Sequence, residues 1–423
     1  MAGLVWTIAS GLSVENAAEL RAPGGPAMFA GSMTGLVGSY LTLVMVLLVS
    51  RIPVIERVLG QDGLLRWHRW VGPWPLSLIG LHAVLTTFGY AESAKTGFWH
   101  QMGSFLSGYP DMLAATVALG LMAVAGVTSV RAVRRRLRRE TWWIIHLYLY
   151  LALALAFAHV LALGPSFVGH PLTRAVWVAA WLATAGVVVA YRFGLPLVRS
   201  LRHRLVVEEV REEVPGVFSV ICAGRHLERL PVAGGQFVQW RFLTRHLWWQ
   251  AHPYSLSALP QPPYLRLTVK VVGDHSAAVS HLAPGTRVMV EGPYGAFTRD
   301  AQRGRRVAMF AGGIGVTALR ALLEDLVPGS APTVVVRVSR PEDFALRSEV
   351  ESLVEALGGA LHVLEGGRRR VRFDQQTVAH LVPDLATRDV YVCGPERFTD
   401  HVASLARHLG VHRHRLHYEV FAL

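Results

Sequence analysis

Five long apolar runs dominate the first half of the chain, at about 28–50, 64–90, 111–130, 141–163 and 172–194. Each is long enough, as a helix, to cross ~30 Å of hydrocarbon. The stretch 1–12 is apolar but short, and is expected at the membrane interface. After Arg204 the period changes. Short alternating segments bounded by Gly and Pro, such as Arg204–Val210, Phe237–Phe242, Leu265–Val271 and Arg287–Val290, predict strands of a small antiparallel β-barrel. From about residue 305 the order strand, glycine loop, helix, strand, helix predicts a doubly wound α/β unit. The expected architecture is a multi-domain membrane protein. It has an α-helical transmembrane bundle at 1–200, a β-barrel domain at 201–302 and an α/β domain at 303–423. Arg303-Gly304-Arg305-Arg306 forms the join between the last two.

Composition sharpens this picture. Hydrophobic residues make up 52% of the 423 positions and charged residues 17%, too apolar for an ordinary soluble chain. A net charge of +13 can signal nucleic-acid binding. Here the arginines gather at the ends of apolar runs instead: Arg51, Arg57 and Arg66; Arg131, Arg134, Arg135, Arg136, Arg138 and Arg139; Arg192, Arg199, Arg202 and Arg204. The alternate connections, 91–110 and 164–171, contain Lys95 and no arginine. The positive-inside rule then puts the arginine loops and everything beyond residue 200 in the cytoplasm of a multi-pass cell-membrane protein. The basic partner is the lipid bilayer, not nucleic acid. The two cysteines, Cys222 and Cys393, exclude a disulfide framework and an iron–sulfur cluster, which needs about four ligands. Met1–Leu12 lacks a basic leading region, so no cleavable signal peptide is expected. No EF-hand loop is present.

Four histidines interrupt the apolar runs: His68 and His82 in the second, His146 and His159 in the fourth. Ionisable side chains inside a bilayer are costly and mark function. The two runs cross in the same direction, so His68 and His146 share the cytoplasmic level, and His82 and His159 the outer level. At ~1.5 Å rise per residue the levels lie roughly 20 Å apart. Two matched pairs suit two b-type haems, one bridging His68 and His146, the other His82 and His159. Fourteen residues is within about 40° of whole turns; thirteen is some 140° off, which a π-bulge or a tilted haem would have to absorb. Pro73 and Pro75 are expected to kink the first of these helices between its ligands, and Trp74 lies midway, suited to packing or to assisting transfer.

The soluble half carries three motifs. His252-Pro253-Tyr254-Ser255-Leu256-Ser257 offers an aromatic face, hydroxyls and a basic group, the needs of a flavin. It is followed by Lys270-Val271-Val272-Gly273-Asp274-His275-Ser276, whose backbone N–H groups and Ser276 can hold a pyrophosphate, and by Glu291-Gly292-Pro293-Tyr294-Gly295. Next, Val307–Ala311 leads into Gly312-Gly313-Ile314-Gly315-Val316-Thr317, a strand, glycine loop and helix start suited to a dinucleotide phosphate. Ser339-Arg340 follow the next strand and can hold a 2′-phosphate, favouring NADPH over NADH; Arg340 can equally pair with Glu342 or Asp343. Last, Tyr391-Val392-Cys393-Gly394-Pro395 ends a later strand, where sheets of this kind bind ligands, with Cys393 toward the nicotinamide. Near the end of the sequence Phe421 can cover the flavin's other face. His412, His414 and His417 alternate nearby, as a solvated strand face or a metal site.

Together these residues resemble the ferric reductase and NADPH oxidase superfamily over roughly 28–423. The resemblance implies a haem-binding bundle fused to a ferredoxin-reductase-like FAD and NAD(P)H module. His68, His82, His146 and His159 match its haem ligands. His252, Pro253, Tyr254 and Ser257 match the flavin motif, with Tyr254 as the stacking ring. Gly312, Gly313, Gly315 and Thr317 match the nicotinamide-cofactor loop, and Cys393, Gly394 and Pro395 the nicotinamide-side motif. Glu419 and Phe421 match the terminal Glu-x-aromatic. Three departures stand out. Five spans are counted where the family usually has six. Two residues follow Phe421, which cannot then be a free C-terminal carboxylate. Oxygen-reducing eukaryotic members often carry a further histidine one turn beyond the outer ligand, where this chain has Thr86. The implied activity passes electrons from NADPH through FAD, which converts two-electron to one-electron transfer, and through two haems to an outer acceptor, oxygen or a ferric chelate. The alternative is a redox partner that serves another membrane protein.

Overall fold

The computed structural model describes residues 2–13, 17–109, 111–366 and 373–421. It forms two compact units, Met1–Ile52 with Gly63–Arg192, and Pro53–Asp62 with Phe193–Leu423. The helices of the first half are α1 (Ala2–Leu12), α2 (Ala17–Arg21), α3 (Gly25–Leu48), α4 (Pro53–Leu59), α5 (Gln61–Val71) and α6 (Pro73–Ser93). There follow α7 (Phe98–Gly108), α8 (Met112–Ser129), α9 (Arg131–Arg134), α10 (Arg139–Leu163), α11 (Pro171–Val188) and α12 (Leu195–His203).

Five helical segments are long and apolar enough to cross a membrane: Gly25–Leu48, Gly63–Ser93, Met112–Ser129, Glu140–Leu163 and Pro171–His203. They coincide with the five apolar runs. The second is broken where its prolines predict. Helix α5 ends at Val71 and α6 begins at Pro73, which has no N–H to donate, while Gly72 N–H still reaches the His68 carbonyl at 2.9 Å. Of the two alternatives for the thirteen-residue spacing, a π-bulge is not found between His146 and His159, because α10 runs as regular α-helix through both. A π-helical turn lies instead at Val189–Gly194, in the last segment. The expected outer loop 91–110 contains α7, whose Gln101 and Phe105 are buried, with Phe105 edge-on to Tyr90 at 5.3 Å. Trp74 is 58% exposed on the outside of α6, so it packs against little of the protein.

Within this unit α3 and α6 pack most closely. Gly31, Gly35 and Gly38 lie along α3 at the contact, where a Cβ would collide with Thr86, His82 and Ile79 respectively. Small residues at this spacing let membrane helices approach without voids. Leu36, Leu43, Phe167 and Trp177 form one buried cluster; Ala118, Met122 and Ala152 join α8 to α10 in another.

The second unit begins its sheets with β1 (Val206–Val214), β2 (Val217–Ala223), β3 (Phe237–Phe242), β4 (His252–Ser255), β5 (Tyr264–Lys270) and β6 (Val288–Tyr294). These do not close into one barrel. They make two three-stranded antiparallel sheets, ordered β1-β2-β5 and β4-β3-β6, touching through single bridges at Val206–Arg287 and Leu256–Leu267. Backbone hydrogen bonds flank both bridges, from the Val288 N–H to the Leu205 carbonyl and from the Ser257 N–H to the Arg266 carbonyl. Their shared core includes Val220, Trp240, Phe242, Leu256 and Leu267. Arg199 of α12 donates to the Gly292 carbonyl on β6, which fixes this helix to the sheets.

Helix α13 (Asp274–Val279) follows β5. The remaining elements are β7 (Val307–Gly312), α14 (Val316–Asp325), β8 (Thr333–Val338), α15 (Arg347–Ala356), β9 (Ala360–Glu365), α16 (Gln375–Leu381), β10 (Asp389–Pro395), α17 (Glu396–His408) and β11 (Leu416–Phe421). The five strands are parallel in the order β11-β10-β7-β8-β9. All of β7 is buried, because helices cover both faces of the sheet. This is the doubly wound unit the sequence predicts.

Candidate functional site

The four membrane histidines come together as two pairs across α5–α6 and α10. Ring centroids are 6.1 Å apart for His68 and His146, and 6.4 Å for His82 and His159. Metal–imidazole bonds of about 2 Å on opposite sides of one ion give a centroid separation of roughly 6 Å. Both pairs are therefore spaced for a shared metal. Two protein nitrogens suit a haem iron, whose other four ligands come from its own macrocycle.

Tautomers support the same reading. His68 Nδ1 lies 3.3 Å from the Met45 carbonyl, and His82 Nδ1 2.8 Å from the Gly31 carbonyl. A carbonyl can only accept, so each Nδ1 carries the proton and each Nε2 keeps a free lone pair for a metal. Thr86 Oγ1 adds a 3.3 Å contact to His82 Nδ1. On α10 the Nδ1 atoms of His146 and His159 are buried and meet no hydrogen-bond partner among the described residues. The anchoring carbonyls of Met45 and Gly31 were not identified from sequence.

The flavin motif lies on β4 and α13. His252 stacks on His275 with centroids 3.5 Å apart, and the Tyr254 hydroxyl lies 3.0 Å from His275 Nδ1. Tyr254 is near-parallel to both rings, at 19° and 24°. His275 thus joins the aromatic platform, a role the motif alone does not single out. Ser255 Oγ is buried without a partner among the described residues, as expected of a hydroxyl awaiting a ligand. Ser257 is fully buried in a hydroxyl chain, Ser219–Thr268–Ser257, with both links at 2.8 Å. Ser276 Oγ accepts from the N–H groups of Val272 and Gly273 and donates to the Gly273 carbonyl, so it shapes the loop. Pro253 and Lys270 are exposed.

The nicotinamide motifs meet at the carboxyl ends of β7 and β10. Gly315 packs so closely that any Cβ would run into the Cys393 carbonyl, and one on Gly312 would strike the Phe398 ring. Gly313 has φ +54°, a conformation glycine adopts at low cost. Thr317 Oγ1 bonds the Ile314 carbonyl at 2.9 Å and closes the turn into α14. Cys393 is fully buried and stands in register with Glu419; Gly394 and Pro395 align with Val420 and Phe421. Burial, with the nearby Glu419 carboxylate, pushes the Cys393 thiol well above its ordinary range, so the thiol is neutral. Ser339 and Arg340 follow β8. Arg340 takes the pairing alternative: its guanidinium lies 3.0 Å from Asp343 and 3.4 Å from Glu342. His417 pairs with the buried Asp389 at 3.1 Å, while His412 and His414 are exposed, with ring centroids 4.0 Å apart and planes tilted by 41°. Residues 422 and 423 lie outside the described residues.

Comparison with known proteins bears on each part. Residues 34–157 match the ferric reductase like transmembrane component, 220–298 an FAD-binding domain, and 309–404 an oxidoreductase NAD-binding domain. A flavohemoprotein of Bordetella pertussis is 30% identical over 209 residues, covering 44% of this chain and 52% of that protein. The NADH oxidoreductase HCR of Escherichia coli is 27% identical over 219 residues, 50% of this chain and 66% of that protein. The chain thus spans about half the length of the first relatives it matches. Among solved structures, the flavohem-like FAD/NAD binding domain of nitric oxide dioxygenase from Vibrio cholerae covers 52% of this chain and 98% of its own, at 24% identity and a TM-score of 0.45. A ferric-reductase-type membrane component followed by FAD- and NAD-binding oxidoreductase domains matches the domain architecture of the ferric reductase and NADPH oxidase superfamily and supports an NAD(P)H-dependent oxidoreductase.

Proposed function

We propose that the protein carries electrons from cytoplasmic NAD(P)H, through FAD and two b-type haems, to a one-electron acceptor outside the membrane. Paired histidines spaced at 6.1 and 6.4 Å, in a chain that also holds a flavin and nicotinamide module, carry this reading. His68 with His146, and His82 with His159, would hold the haems, which supply one-electron carriers at two depths. The Met45 and Gly31 carbonyls keep the proton on Nδ1 and leave Nε2 for the metal. Tyr254, stacked with the histidine pair, and Ser255 would hold the flavin. Gly312, Gly313, Gly315 and Thr317 would cradle the NAD(P)H pyrophosphate. The arginine loops orient the reductase half to the cytoplasm. One NAD(P)H yields NAD(P)+, a proton and two electrons, enough to reduce two oxygen molecules to superoxide or two ferric chelates to the ferrous state. With the cytoplasm negative, outward electron movement gains ~2.3 kcal/mol per charge per 100 mV.

The test is an absorption spectrum of the purified, detergent-solubilised protein before and after anaerobic NADPH. The expected result is flavin bleaching with sharp low-spin α and β bands. Oxygen and then ferric chelate, admitted without any partner protein, identify the acceptor. Flavin bleaching with no haem band in haem-replete protein would overturn the paired-ligand reading. Full reduction with no turnover on either acceptor would favour a redox partner that serves another membrane protein.

A further inference from the structure

The two ligands of the inner pair are oriented by different means. His68 is fixed by the Met45 carbonyl, whereas His146 has no hydrogen bond at Nδ1 among the described residues. What lies against His146 is Trp142, one helical turn earlier on α10, stacked at 5.0 Å and 26°. Trp142 is itself held twice. Its Nε1 donates to Ser129 Oγ at 3.2 Å, and the Arg134 guanidinium sits over its ring at 4.5 Å. The corresponding position before the outer ligand His159 is Leu155, which offers no ring.

We infer that Trp142, clamped by Arg134 and Ser129, is the positioning residue that sets the His146 imidazole plane and thereby tunes the inner haem. The inference rests on the haem reading above. The plane of an axial imidazole determines its π overlap with iron, and second-sphere contacts orient metal ligands. A cation held near the site favours the ferrous over the ferric state, because reduction removes one positive charge. Arg134 is otherwise read as one more orientation anchor in a basic loop, a role that would leave haem properties untouched.

The test uses full-length, haem-replete protein, with ferric EPR and a redox titration of both haems. Trp142→Leu should retain both haems, shift the low-spin g-values and midpoint of one, and leave the other unchanged. A His82→Leu background, expected to retain only the His68/His146 haem, assigns the shifted signal. Trp142→Phe should return the g-values toward wild type. Arg134→Gln should lower the same midpoint with g-values near wild type. Unchanged signals in Trp142→Leu, or equal shifts in both haems, would overturn the inference while leaving the ligand assignment intact. Should Trp142→Leu fail to assemble, Arg134→Gln decides: unmoved midpoints overturn the inference. Absence of any haem in the wild type would remove the ligand assignment and this inference together.

Discussion

His82 and Gly31 are joined by a 2.8 Å hydrogen bond from the ring Nδ1 to the backbone carbonyl, across the contact of α3 and α6. The bond exists because α3 carries no side chain there. One turn on, a Cβ at Gly35 would lie 2.6 Å from that same Nδ1. Gly35→Ala should therefore push the ring off its carbonyl, at an overpacking cost of about 1–3 kcal/mol. The expected outcome is loss of the outer haem with the inner one kept. Haem per protein, measured by pyridine haemochrome, should fall by about half; an unchanged ratio would show that the ring tolerates the displacement.

Ligands that share one iron should fail together. His68→Leu and His146→Leu should each lose the same haem, and the double variant should lose no more than either single one, the signature of coupled sites. His82→Leu and His159→Leu should do the same for the other haem. All four lie outside the segment that matches the FAD-binding domain, so flavin bleaching by anaerobic NADPH should persist in all. Four variants with four different haem losses would break the pairing.

The parts of this architecture that were readable in advance are those encoded locally. Apolar runs gave the five spans, and Pro73 with Pro75 gave the break at Gly72. Depth alone matched His68 to His146 and His82 to His159. What was not readable depends on contacts between distant segments. Where one barrel was expected there are two three-stranded sheets joined at two bridges, because closure depends on pairing between strands far apart in sequence. The thirteen-residue spacing admitted a bulge in α10 or a tilted haem, and His159 meets His82 at 6.4 Å from a regular helix. Arg340 is a local case: the short turn at Pro341–Asp343 brings Asp343 and Glu342 against it, one of the two alternatives read from the sequence. The carbonyls of Gly31 and Met45 belong to the backbone and leave no residue-type signature.

The pairing of Arg340 bears on the choice of nucleotide. A guanidinium committed to Asp343 meets a 2′-phosphate less readily, since the carboxylate must first be displaced. Asp343→Asn should loosen this hold, leaving only the longer contact to Glu342, and raise kcat/KM for NADPH relative to NADH by roughly tenfold, the worth of one charge-assisted contact. The check is the ratio of flavin reduction rates with the two nucleotides. A ratio that does not move would place 2′-phosphate recognition elsewhere.

At Gly315 the glycine loop meets the strand that carries Cys393 with no space between them. Gly315→Ala must separate the loop from β10, and a displacement of this kind costs catalysis steeply. Reduction of the flavin by NAD(P)H should slow by about 100-fold. Photoreduction of the same flavin, which needs no nucleotide, should be normal. A loss of both would point to a flavin site disrupted by misfolding.

Glu349 is one of the carboxylates that tie the two sheets of the flavin region to the parallel sheet. Glu349 on α15 receives two bonds from Arg266 on β5, at 2.7 and 2.8 Å, and one contact from Arg320 on α14 at 2.7 Å. Arg320 also pairs with Glu324, whose carboxylate accepts from the Leu259 N–H at 2.8 Å. Burial works to raise the Glu349 carboxyl, but the two guanidiniums outweigh it and hold it below the ordinary carboxylate range. The sign follows from that depression. In the unfolded chain the carboxyl protonates near pH 4.3, so the folded state is favoured above that value. The contribution is lost as pH falls through the lower folded value, because protonation then breaks the pairs. Glu349→Gln should lower stability by about 2 kcal/mol at pH 7, leaving Arg266 and Arg320 without their shared acceptor. The difference from wild type should shrink as the pH falls below about 4.3. Thermal unfolding of the full-length protein, followed by release of flavin fluorescence, reads both effects. A difference that stays constant from neutral to acid would mean that Glu349 acts through packing and not through its charge.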